Sequence, residues 1–232
     1  MKISAKKSCQ YIVTFLLIGW QLTLYAEFTR EQLEWLESDA EHPAFTVNEG
    51  ELEFLVEPAS KVEHVQSMEV LLTSESINSG WGVVNQCHRN LDSVPSLEIV
   101  FHQQRIRKLQ VVKYQNMRHA EVIGHRVLVS DIQPGSEICL SAESRILHPR
   151  KNDSALQLFD MVNGPFMRRF LDGYYPITLQ LQVKYPPTML EIRDIQPGSQ
   201  PGWNIRYDTG LIDMAGRFEG RLKTKLLFAR IK

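Results

Sequence analysis

Ile177-Thr-Leu-Gln-Leu-Gln-Val-Lys-Tyr185 alternates apolar and polar side chains without a break. In an extended chain, Ile177, Leu179, Leu181, Val183 and Tyr185 fall on one face, and Thr178, Gln180, Gln182 and Lys184 on the other. A period of two predicts a strand with its apolar face in a core. Its polar face is expected to see water or a polar groove.

The same period recurs on both sides. Glu51–Glu57 places Leu52, Phe54 and Val56 opposite Glu51, Glu53 and Glu57. Phe218, Leu222, Leu226 and Phe228 face inward at the C-terminal end, against Arg217, Arg221, Lys223 and Lys225. Shorter apolar runs lie at 68–73, 81–86, 97–101, 109–114, 127–132 and 138–141. Many short strands separated by turn residues predict a mostly β chain, built as a sandwich or barrel.

One segment upstream of the strand departs from this pattern, Asn163-Gly-Pro-Phe-Met-Arg-Arg-Phe-Leu-Asp-Gly-Tyr-Tyr-Pro176. Pro165 suits a first helical position and Gly173 a helix end, so a short helical turn is expected over Phe166–Tyr175. Phe166 and Phe170 would share one side, with Arg168 and Arg169 on the flank and Tyr174 and Tyr175 following. Aromatic side chains beside arginine are the composition of binding hot spots. Phe166, Arg168, Arg169, Phe170, Tyr174 and Tyr175 are therefore the candidate binding residues. A turn that plugs the open end of a β-structure is the competing reading.

Asp131-Ile-Gln-Pro-Gly-Ser136 repeats as Asp194-Ile-Gln-Pro-Gly-Ser199. Pro followed by Gly is the signature of a type II turn, and an apolar run leads into each copy. Here about fifteen residues, Leu128 to Ala142, resemble the strand, Pro-Gly and strand segment of a fibronectin type III or immunoglobulin-like domain. The resemblance implies two Ig-like, sandwich-like units, expected over 51–148 and 149–232.

The N-terminus has a different character. Lys2, Lys6 and Lys7 precede an apolar run from Tyr11 to Leu24, and a cut after Ala26 completes the pattern of a signal peptide over 1–26. The run is shorter than a spanning helix needs, so no stable membrane span is expected once it is removed. Residues 27–50 form an acidic leader in which Thr29 and Gln32 make a capping box for a helix to about Asp39. Removing three lysines leaves 26 − 3 = 23 basic against 27 acidic residues. Cleavage also leaves two cysteines, Cys87 and Cys139, expected to pair as a disulfide in an oxidising compartment.

Motifs for chemistry are missing. There is no Gly-x-Ser-x-Gly, no His-Glu-x-x-His, no Cys-x-x-Cys-His and no phosphate-cradling glycine loop, so neither a cofactor nor an enzymatic activity is expected. Seven histidines are scattered through the chain, and a copper or zinc site drawn from distant strands stays open. Trp81 and Trp203, each beside glycine, could stack on a sugar ring or pack in the core. Nucleic acid is an unexpected partner for an exported chain without dense basic clusters. The expectation is a periplasmic or secreted, non-enzymatic module that binds another envelope protein, with a carbohydrate-binding or metal-binding protein as the alternatives.

Overall fold

The structure is a computed structural model that describes residues 48–59, 61–151, 156–170 and 172–231. The signal segment 1–26 and the helix expected over Thr29–Asp39 lie outside the described residues.

The chain is mostly β, with fifteen strands and one short helix among the described residues. The main sheet is assembled from β1 (Glu53–Phe54), β2 (Val65–Leu71), β3 (Trp81–Arg89), β4 (Ser96–Val100), β5 (Ile106–Ile123), β6 (Arg126–Arg145), β11 (Ile177–Lys184), β13 (Trp203–Asp208) and β14 (Leu211–Glu219). Its central path runs β14-β11-β2-β3-β6, antiparallel except where β11 lies parallel to β2. A second sheet holds β12 (Leu190–Gln196), β15 (Leu222–Arg230), β8 (Leu158–Phe166) and β7 (Leu147–Pro149) in that order. β9 (Arg168–Phe170) and β10 (Gly173–Tyr175) make a separate hairpin, and α1 (Ser74–Ser79) links β2 to β3.

The alternation in 177–185 explains the layering. Ile177, Leu179, Leu181 and Val183 are all 0% exposed, facing a core shared with Phe159 and Met161 of β8 and Leu226 and Phe228 of β15. Each such side chain contributes about 1.5–3 kcal/mol by leaving water. The C-terminal alternation holds as well: Leu222, Leu226 and Phe228 point inward while Lys223 and Lys225 stay exposed.

The two units expected at 51–148 and 149–232 share one sheet. β11, from the second half, lies between β2 from the first and β14, and the described residues from 48 onward belong to one compact unit. Parallel pairing of β11 with β2 requires the long connection between them, which carries β3 to β10.

The first Asp-Ile-Gln-Pro-Gly-Ser copy does not turn the chain between two strands. It lies inside β6, where Gln133–Ser136 bulges out opposite the single residue Asn116 of β5. The Asn116 amide donates to the carbonyls of Pro134 and Gly135 at 3.4 and 3.0 Å, satisfying groups the ladder leaves unpaired. The segment that carried the likeness to Ig-like domains is thus a bulged strand. The second copy does end a strand, β12, and a turn then leads into β13.

The bulge marks a change of partners. β6 lies between β4 and β5 over 126–130, and between β3 and β5 from 137 on. The distal part closes a second core of Leu91, Val127, Val129, Ile132, Ile138 and Leu140.

Candidate functional site

The helical turn expected over Phe166–Tyr175 is replaced by the end of β8 and the β9–β10 hairpin. Pairing decides this. Phe166 is opposed to Leu222 of β15, and Arg168 and Arg169 are opposed to Tyr175 and Tyr174. Helical spacing would put Phe166 and Phe170 on one side; the period of two separates the segment into two sets of contacts.

On one face, Arg168 donates to Asp92 and to the Pro176 carbonyl, and its guanidinium lies 5.5 Å from the ring centres of both Phe170 and Tyr175. Those two rings meet edge to face at 5.4 Å, and Tyr175 donates to Asp172 at 2.5 Å, which pushes the phenol pKa up. On the other face, Tyr174 is buried under Arg169 and Arg221, at 5.6 and 5.9 Å from its ring. Phe166 is buried in the main core. The structure therefore divides the six candidates: Arg168, Phe170 and Tyr175 contact one another, Tyr174 packs under Arg169, and Phe166 belongs to the core. Among the described residues of 166–175, Met167, Arg169 and Asp172 stand exposed.

A polar cluster with no sequence motif lies within reach of the Arg168 charge. His64 Nε2 and His88 Nδ1 share a hydrogen bond at 2.9 Å, and Gln86 Nε2 reaches His88 Nε2 at 3.1 Å. Gln66 of β2, Gln86 and His88 of β3 and His64, just before β2, are all buried. Burial pushes the His64 pKa down to about 4, with a smaller contribution from the Arg168 charge, and that of His88 down to about 3. Both imidazoles are thus neutral at pH 7 and shielded from solvent, a poor position for a catalytic base.

The solvent face of the main sheet is different. A trough of about 670 Å³ runs across its strands, lined by β2, β3, β11, β13 and β14. Cross-strand register sets its lining in rows. One row passes from Asn204 through Ala215, Gln180 and Ser67 to Cys87 and Cys139. The next passes from Arg206 through Asp213, Gln182 and Glu69 to Asn85 and Ser141. Small side chains at Ala215 and Ser67 leave the hollow, and longer amides form its walls. Lys184 holds Glu69, Ser141 donates to Asn85 at 2.8 Å, and Arg89 donates to Gln180 at 3.5 Å. The third row carries Leu71 directly opposite Val83, 39% and 36% exposed. Trp81 follows on the same face of β3, with Arg107 4.1 Å above its ring. Gln180 and Gln182 show that the polar groove was legible in the strand; the other strands lining it were not.

The two tryptophans have separate fates. Trp203 is 0% exposed, stacked 5.4 Å from Phe54, and donates from Nε1 to the Pro197 carbonyl at 3.3 Å. It cannot stack on a sugar, because its faces are occupied by the core. Cys87 and Cys139 form the expected disulfide between directly opposed residues of β3 and β6, with Cα atoms 4.0 Å apart. Among the described residues, the one group of three close metal-ligating side chains is Cys87, Glu137 and Cys139, whose sulfurs are committed to that bond. Neither a protein-family model nor a curated protein matches this chain.

Proposed function

We propose that this chain is a non-enzymatic protein-binding module of the exported compartment, periplasmic or secreted after removal of 1–26, acting as an accessory or assembly factor. Its binding face is the solvent face of the main sheet. The observation that carries this reading is the placement of a polar trough beside two exposed apolar side chains, Leu71 and Val83, with the half-buried Trp81 next to them on the same sheet face. Apolar contacts next to amide, guanidinium and carboxylate groups are the makings of a protein interface. The exposed Arg169 and Met167 give the hairpin the role of a secondary contact.

A glycan is the second reading. The amides of Asn85, Gln180, Gln182 and Asn204 in one trough favour it, since amides hydrogen-bond sugar hydroxyls. The trough's lining holds no aromatic side chain, and a protein partner remains our first reading.

The test is crosslinking and affinity capture from the native envelope with three folded forms: wild type, Val83→Glu with Gln182→Ala, and Arg169→Glu. A specific protein held by wild type and Arg169→Glu but lost from the sheet-face variant supports the reading. Capture unaffected by the sheet-face substitutions overturns it. Loss of a glycan on an array with the same variant, and no captured protein, would establish the second reading instead.

A further inference from the structure

We infer that Cys87, Cys139 and Glu137 are the ligands of a zinc site that forms when the cross-strand disulfide is reduced. With the two sulfurs bonded to each other, the Glu137 carboxylate already lies within 4.8 Å of both. Cys87 and Cys139 oppose each other on β3 and β6, and Glu137 stands two residues before Cys139, on the same face of β6. Two thiolates around a tetrahedral zinc, each about 2.3 Å from the metal, sit about 3.8 Å apart. Opposed residues with Cα atoms 4.0 Å apart can hold that separation by side-chain rotation alone.

Glu137 is aimed for the task. Lys113 Nζ holds Oε2 at 3.0 Å, while Oε1 faces Cys139 Sγ at 3.9 Å. Charge also balances: two thiolates and a carboxylate carry −3, which Zn²⁺ and the Lys113 ammonium neutralise together. Cys87 lines the trough, so the fourth position opens toward solvent or a trough ligand. A carboxylate beside two thiolates suits zinc, a borderline-soft ion that accepts both sulfur and oxygen.

The chemistry is balanced with a dithiol as reductant. The dithiol gives two electrons and two protons, becoming a disulfide, and Cys87 and Cys139 become thiols. Zinc then displaces two protons as both sulfurs bind as thiolates. The disulfide is the closed form of the site, and reduction opens it.

The test uses the purified full chain, reduced with a phosphine, desalted without oxygen and titrated with Zn²⁺ alone. One zinc per reduced chain and none per disulfide chain is the expected result. Cobalt(II) in place of zinc should give thiolate charge-transfer absorption. Cys139→Ser should abolish binding, and Glu137→Gln should weaken it about tenfold or more. Reduced chain that takes up no zinc overturns the site, as does binding to Glu137→Gln as tight as to the parent, because unstructured cysteines would ignore Glu137. If reduction unfolds the chain, zinc must restore its far-ultraviolet spectrum and cooperative melting; a reduced chain left unfolded by zinc overturns the proposal equally.

Discussion

Arg168 clasps Asp92 with two hydrogen bonds, Nε to Oδ2 at 2.9 Å and Nη2 to Oδ1 at 2.5 Å. The pair joins the β9–β10 hairpin to the loop that carries Leu91 and Val94, members of the second core. A residue whose neighbours suggest a docking anchor is therefore a strut between two parts of the same fold. Its geometry is the bidentate fork that guanidinium and carboxylate groups favour.

Arg168→Ala should lower unfolding free energy by about 2 kcal/mol. The side chains are 16% and 25% exposed, so the cost falls below the 3–5 kcal/mol of a fully buried pair losing one partner. Urea unfolding of the variant checks this. An unchanged midpoint would mean the strut carries no stability.

His64 and His88 set an acid limit on the fold. Both are held neutral in the folded state, at about 4 and about 3, while an unfolded histidine titrates near 6.5. The unfolded chain therefore binds more protons below pH 6.5, and stability falls as pH falls from 6.5 toward 4. The slope is at most about 1.4 kcal/mol per pH unit for each histidine. Glu63, whose pKa the Arg217 hydrogen bonds hold down, adds a loss in the same direction at lower pH. Melting temperature measured from pH 7 to pH 4 should drop steeply, and His88→Leu should flatten the upper part of that drop. A flat profile in the parent would contradict the buried neutral pair.

Trp203→Ala should destabilise by about 3–5 kcal/mol, through loss of its buried ring, and should leave a folded population whose ligand binding is unaltered. Gly216→Ala should damage the same spot. Its added Cβ would lie 2.3 Å from the Gly202 carbonyl oxygen and 2.6 Å from Trp203 Cε3. Thermal melting of both variants, with binding measured well below the transition, separates a packing role from a recognition role.

Reducing the Cys87–Cys139 bond should cost about 4 kcal/mol by the chain-entropy argument, since it closes a loop spanning 52 positions. Denaturant unfolding with and without reductant reads the difference. A loss below about 1 kcal/mol would show that β3–β6 pairing alone already restrains the unfolded chain.

Local alternation settled the mostly β character and the inward faces of 177–185 and the C-terminal strand, because a period of two forces alternate side chains to opposite sides of any extended chain. It also placed Gln180 and Gln182 on a polar face. The pairing of Cys87 with Cys139 followed from their number and from the expectation of an oxidising compartment. Other features depended on partners distant in sequence. The 166–175 segment has helical spacing and turn residues, yet Leu222 pairs with Phe166 and Asp92 binds Arg168, and those long-range contacts select extended backbone. Pro134-Gly135 reads as a turn, but Asn116 across the hairpin absorbs it as a bulge. The trough needs Ala215, Gln180 and Ser67 in one row, and the buried histidine pair needs β2 beside β3. Register between strands is a property of the folded sheet, so neither site has a signature in any single stretch of sequence.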